Sequence, residues 1–191
     1  MREFIYFSQH ARTSGHIHDL LRAGRIDIAC HVIVSSFFFS RARRPYVRLH
    51  MIFNGPPDAP KHLEIFGARA RISKREPAEL ISHMLYKYKR GRKVEAFEDC
   101  WIEKKSFLDL VEELHEQGKT IYMLDPKGED IRTAKIENDP VFIFGDHEGI
   151  PKREIKRVKE ITKKISLGPL EYFASHVVAL VHNELDRRGI W

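Results

Sequence analysis

Two short apolar runs near the carboxyl end constrain this chain most. Val141 to Phe144 runs into Gly145-Asp146-His147-Glu148-Gly149, and Ile165-Ser166-Leu167 runs into Gly168-Pro169-Leu170, each ahead of a helical segment. Short apolar runs bounded by glycine and proline read as strands. A repeating order of strand, loop and helix implies a parallel sheet with right-handed crossovers. Both loops then emerge at the carboxyl ends of strands, where open α/β sheets bind small ligands.

The rest of the chain supports that frame. Met1 to Phe7 reads as a first strand, because charge interrupts it at once and it lacks a cleavage-site pattern. The polar stretch Gln9 to Arg25 is too long to be an idle connection, so a functional loop is expected there. From Ile26, apolar residues at Cys30, Ile33, Val34 and Phe37 recur at helical spacing. Val47 to Phe53 and Leu63 to Phe66 are expected strands. The proline-rich Asn54 to Pro60 between them is a stiff surface loop. Pro77 opens a helix with Leu80, Ile81, Met84, Leu85 and Tyr88 on one face, followed by a basic linker from Lys89 to Lys93. Ser106 is placed to cap a helix over Phe107, Leu110, Val111 and Leu114, which Gly118 ends. The strand Thr120 to Leu124 turns at Asp125-Pro126-Lys127-Gly128, and Pro151 opens a basic helix.

At 191 residues the chain suits one compact domain. Its apolar runs are too short to span a bilayer, and a cytoplasmic location is expected. Cys30 and Cys100 are too few and too distant for a disulfide framework or a zinc ribbon. Lys and Arg exceed Asp and Glu by six, clustered at 41–48, 87–93 and 152–164, and the isoelectric point is about 9.3. One basic cluster is an ordinary wet face, but three together point to a polyanion such as RNA.

Several chemistries are disfavoured. No Gly-x-Gly-x-x-Gly follows a strand, there is no P-loop, and no Gly-x-Ser-x-Gly elbow exists. Among the histidines, His16 and His18 lie two apart, whereas His176 and His182 would face different sides of a helix. No metal is expected.

The phrases Ala23-Gly24-Arg25-Ile26-Asp27, Gly55-Pro56-Pro57-Asp58, Asp139 to His147, and Ser166-Leu167-Gly168-Pro169-Leu170 through Ala174-Ser175-His176 to His182-Asn183-Glu184-Leu185-Asp186 occur in a joint order and spacing. In this respect the chain resembles the archaeal tRNA (pseudouridine-54) N1-methyltransferases of the TrmY family, in the SPOUT superfamily. The resemblance implies a single SPOUT domain over residues 1–191: an α/β fold with a parallel sheet and a C-terminal trefoil knot flanked by helices. It implies S-adenosyl-L-methionine as cofactor, tRNA as substrate and a homodimer. It also implies cofactor-binding roles for Leu124, Gly145, Leu167, Gly168, Pro169, Leu170, Glu171, Tyr172 and Val177.

The resemblance, whose pattern carries an aspartate in the Gly-Pro-Pro-Asp phrase, makes Asp58 the expected catalytic residue. Pseudouridine N1 carries a hydrogen that must leave around the time of methyl transfer, and a carboxylate can accept it. Taken by itself Asp58 reads as a turn aspartate bonding its own backbone. Many relatives show a cysteine where this chain has Val177, and a packing role for that position is expected. Arg25 is the expected RNA contact; Arg41, Arg43 and Arg44 could meet phosphates, and Tyr6, Phe7 and Tyr172 could stack a flipped base. Two other readings remain open: a ribosomal RNA pseudouridine N1-methyltransferase of the same superfamily, and a noncatalytic RNA-binding module that retains the knot.

Overall fold

The computed structural model describes residues 1–191. Strand β1 (Arg2–Ser8) lies near the middle of an eight-stranded sheet. It pairs in parallel with β4 (Val47–Phe53) on one side and β9 (Val141–Gly145) on the other. Every residue of β1 is buried because both faces of the sheet are covered there. Phe4 and Tyr6 enter the larger apolar core, and Ile5 and Phe7 enter the smaller one. A strand buried on both faces reads as a continuous apolar run, as this one does.

The larger core lies under helices α1 (Ile26–Phe37), α2 (Pro77–Lys87) and α5 (Ala174–Arg188), and α1 packs on α5. On the other face sit α3 (Phe107–Glu116) and α4 (Lys152–Val158). Ser106 caps α3 as expected: its hydroxyl accepts from the Asp109 N–H, and the Asp109 carboxylate accepts in return from the Ser106 N–H.

Beyond β9 come β8 (Ile121–Asp130) and the edge strand β10 (Lys163–Ser166), both parallel to their neighbours. Pairing of β10 jumps from Met123 to Glu129, so the expected turn at Asp125 to Gly128 is an excursion within β8.

The expected parallel sheet is formed by β10, β8, β9, β1 and β4, and the sheet continues beyond β4 in the other sense. There β5 (Lys61–Phe66), β7 (Cys100–Glu103) and β6 (Val94–Phe97) add in antiparallel fashion, giving the order β10-β8-β9-β1-β4-β5-β7-β6. The loop Asn54 to Pro60 is too short for a crossover, so β5 must return alongside β4. The β6/β7 hairpin turns at Asp99, whose φ of 59° is left-handed, as tight hairpins require. A further short hairpin, β2 (Phe38–Phe39) with β3 (Ala42–Arg43), follows α1. No helix is long and apolar enough to cross a membrane.

The closing helix is anchored at the amino edge of β1. The Arg2 guanidinium is fully buried, donates to the Ile190 carbonyl at 2.8 and 2.6 Å, lies 3.0 Å from His182 Nδ1, and pairs with Asp186 at 2.7 Å. Arg44 makes a bidentate pair with the same carboxylate at 2.8 and 2.6 Å. The phrase His182 to Asp186 is therefore structural, and Arg44 is a buried anchor rather than a phosphate contact. Arg43 bonds the carbonyls of Gly67 and Ala70.

Candidate functional site

Strands β10, β8 and β9 lie side by side and run the same way: Gly145 ends β9, Leu167 follows β10, and Leu124 lies within β8 next to Met123, which pairs with both Ile143 and Lys164. After β10, the Ser166 hydroxyl accepts from the Gly168 N–H at 3.1 Å and donates to the Gly168 carbonyl at 3.2 Å. Gly168 has φ of 126°, which a residue with a side chain rarely adopts. Pro169, Leu170, Glu171 and Tyr172 that follow are exposed. The main-chain N–H groups of Leu170, Glu171 and Tyr172 donate no hydrogen bond within the chain, which leaves them free for a ligand. A Cβ on Gly145 would lie 2.4 Å from the Gly149 carbonyl carbon, so only glycine lets the two arms of this turn approach. Val177, in the first turn of α5, is half-buried and packs against the larger core.

At the carboxyl ends of β1 and β4, two loops lock together. The Thr13 hydroxyl donates to the Gly55 carbonyl at 2.9 Å and accepts from the Asp58 N–H at 2.9 Å. The Arg12 N–H reaches the Ala23 carbonyl, and the Gly55 N–H reaches the Ala11 carbonyl. A Cβ at Gly24 or Gly55 would fall 1.7 or 2.2 Å from the His10 carbonyl oxygen, which explains both glycines of the sequence phrases. The stretch Gln9 to Arg25 is thus an ordered wall beside the Asp58 loop.

The Asp58 carboxylate is half-exposed and pairs with Lys104 and with Lys61, the latter at 2.5 Å. Hydrogen bonds from Lys104 and then Lys61 hold its pKa down to about 2. The two lysines differ. Lys61 is buried, with its ammonium 3.4 Å from the centre of the Tyr88 ring, whereas the Lys104 side chain is 42% exposed and can swing away.

Other expected contacts change role. Arg25 stands left-handed (φ 61°) ahead of α1, and its guanidinium binds Asp27 at 3.0 and 2.9 Å, so a phosphate would compete with that carboxylate. Tyr6 and Phe7 are fully buried and cannot stack a base, while Tyr172 keeps an exposed ring.

Sequence reasoning missed the Ser8 hydroxyl donating to Asp146 at 2.7 Å between the ends of β1 and β9. It also missed a polar cluster on the α3 face of β4 and β5. His50 Nδ1 lies 2.9 Å from His62 Nε2; His50 Nε2 lies 3.1 Å from Glu3, and His62 Nδ1 lies 3.1 Å from Glu103. The signal was present as the polar alternation Arg48, His50 and His62, Glu64 within strands.

The sequence profile of a family described as SAM-dependent RNA methyltransferases matches residues 1–190. The tRNA (pseudouridine(54)-N(1))-methyltransferase of Methanosarcina acetivorans is 34% identical, over 98% of this chain and 92% of its own length. The Methanocaldococcus jannaschii protein of the same name is also 34% identical, over 100% and 98%, and that of Pyrococcus abyssi is 30% identical over the whole of both chains. Among solved structures, Archaeoglobus fulgidus Nep1 bound to S-adenosylhomocysteine shares the fold, with a TM-score of 0.62 at 15% identity over 97% of each chain. The chain therefore belongs to the SAM-dependent RNA methyltransferase family that includes these archaeal tRNA (pseudouridine(54)-N(1))-methyltransferases.

Proposed function

We propose that this protein transfers a methyl group from S-adenosylmethionine to N1 of pseudouridine 54 in the T loop of tRNA. One observation carries the reading: the neighbouring strands β10, β8 and β9 bring together Leu124, Gly145 and a 168–172 loop with unspent N–H donors. S-adenosylmethionine, when bound, supplies an electrophilic sulfonium methyl. The chain's task is to hold donor and acceptor in line, and positioning alone can provide much of the acceleration. Leu124, Gly145 and Leu167 to Tyr172 would hold the cofactor through main-chain groups, with Val177 packing against it.

Asp58 stands at the carboxyl end of β4, two strands from β9, a lateral offset of roughly 10 Å at ordinary strand spacing. A nucleobase can bridge that distance. With a pKa of about 2 the Asp58 carboxylate is ionised but a weak base. It would accept a hydrogen bond from the target N1–H, and displacement of Lys104 by RNA would strengthen it as proton acceptor. Lys61 would stay, keeping the carboxylate aimed.

The reading extends to a homodimer and a cytoplasmic single-domain enzyme. Leu170, Phe173 and Leu180, exposed by 67%, 76% and 37%, form an apolar surface along α5 and the loop before it that suits a second copy. A knotted carboxyl end is in keeping with Arg188 of α5 bonding the Ile131 and Ala134 carbonyls on the segment after β8. The test is methyl transfer from labelled S-adenosylmethionine to two T-loop RNAs that differ only in pseudouridine or uridine at the target. Label confined to the pseudouridine RNA is expected; label in neither RNA, with cofactor bound, overturns the assignment.

A further inference from the structure

The hairpin formed by β4 and β5 carries a second constellation, away from the strand ends. His50 and Glu64 are direct register partners, and His62 lies two residues before Glu64 on the same face. All three are buried, with one ligand-capable atom of each within 4.8 Å of the others. A cavity of about 270 Å³ beside them is lined also by Glu3, Arg48, Lys93 and Lys119.

Ionised Glu3 and Glu103 only accept, so the outer nitrogens of both imidazoles, His50 Nε2 and His62 Nδ1, must donate to them. Two neutral rings carry two protons, and both are then spent. His50 Nδ1 and His62 Nε2 are left with lone pairs facing across 2.9 Å, an arrangement that needs a shared proton or a metal ion between them.

We infer that His50 Nδ1, His62 Nε2 and a Glu64 oxygen form a binding site for a divalent transition-metal ion of the zinc class. Each imidazole already donates its outer N–H to a carboxylate, the usual support of a metal-bound histidine. Tetrahedral zinc with bonds of 2.0–2.1 Å sets its nitrogens about 3.3 Å apart, so the rings must open by about 0.4 Å. Glu64 now accepts from Arg48 with one oxygen and from Lys93, at 2.5 Å, with the other. The Lys93 side chain is 41% exposed and can withdraw to water, leaving that second oxygen for the metal. Where a shared proton fills the gap, metal entry expels that proton and the ammonium, so two positive charges leave as two arrive. The ion would tie β4 to β5 at the root of the loop that carries Asp58.

The experiment uses full-length protein without a histidine tag, stripped with chelator and titrated with Co²⁺ by calorimetry and visible absorption. One equivalent is expected, with ligand-field bands that Zn²⁺ abolishes. Losing a supporting residue of a metal site costs 10- to 100-fold in affinity, so His62→Gln, which removes a ligand, should weaken binding by roughly 100-fold or more. Lys93→Ala, a surface change that leaves the fold intact, should tighten binding several-fold by removing the competing cation. Absence of a one-equivalent site in both wild type and Lys93→Ala overturns the inference, as does full affinity in His62→Gln. A nitrogen-15 imidazole spectrum showing one proton shared by His50 and His62 in the presence of excess Zn²⁺ also overturns it.

Discussion

Replacing Gly145 by alanine tests the cofactor reading most directly. The added Cβ would meet three Gly149 atoms, the carbonyl carbon at 2.4 Å and Cα and the oxygen at 2.7 Å. Ordinary carbon contacts lie at about 3.5–4.0 Å, so one side must retreat by roughly 1 Å. Strand β9 cannot move, because it is laddered on both sides by β1 and β8. Asp146 is held to β1 by its N–H on the Phe7 carbonyl and by the Ser8 hydroxyl, so the Gly149 arm of the turn moves instead. Overpacking of this kind costs about 1–3 kcal/mol. If the displaced turn forms one wall of the cofactor pocket, that cost appears as a loss of affinity of roughly 5- to 150-fold. Calorimetric titration with S-adenosylhomocysteine measures it. Gly118→Ala is the control: Gly118 has positive φ (80°), which Gly145 does not, and open surroundings, so its alanine strains the backbone without a clash, and it follows α3 at the opposite end of the sheet. Wild-type affinity in Gly145→Ala, or an equal loss in Gly118→Ala, would refute the reasoning.

Asp58→Asn keeps the side-chain shape but removes the proton acceptor; the single-turnover methylation rate should fall by about 10²- to 10⁴-fold with cofactor affinity unchanged. A normal rate would remove Asp58 from the chemistry. Lys104→Ala takes away the largest influence lowering Asp58, so its carboxyl should titrate above about 2, toward 3.8, in a carbon-13 NMR titration; an unmoved titration would show that Lys61 alone sets it. Asp186→Ala leaves Arg2 buried without its anion, at a cost of about 2–3 kcal/mol given that Asp186 is 31% exposed. That lowers Tm by roughly 5–10 °C in a chain of this size, against little change for Glu184→Ala. Arg44 and Arg2 hold the folded pKa of Asp186 below its ordinary 3.8, even though burial opposes them. The gap in Tm between wild type and Asp186→Ala should thus be full above pH 3.8 and close as pH falls through the depressed value.

The readable parts of this fold are those whose signal is local. The doubly buried β1 and β9 announced themselves as apolar runs, α3 by its Ser106 cap, and the turn within β8 by Asp125-Pro126-Lys127-Gly128. The hairpin of β6 and β7 escaped because its short strands are half exposed and follow the basic linker without a run of apolar residues. The phrase-level resemblance singled out Asp58 and the 167–172 loop as candidates, yet it could not tell that Arg25 is spent on Asp27 or that Arg44 is an internal anchor.

By itself the sequence determined the core strands β1, β4, β5 and β9, the turns and the glycines that permit close approach, because each depends on residues a few positions apart. Only the tertiary structure decided which strand ends are neighbours. It also decided that Asp58 answers to Lys61 and Lys104, that Arg2 closes on Asp186 from the far end of the chain, and that His50 faces His62 across a hairpin. Those relations join residues distant in sequence, and their partners are set by sheet order and side-chain register, which local periodicity does not encode.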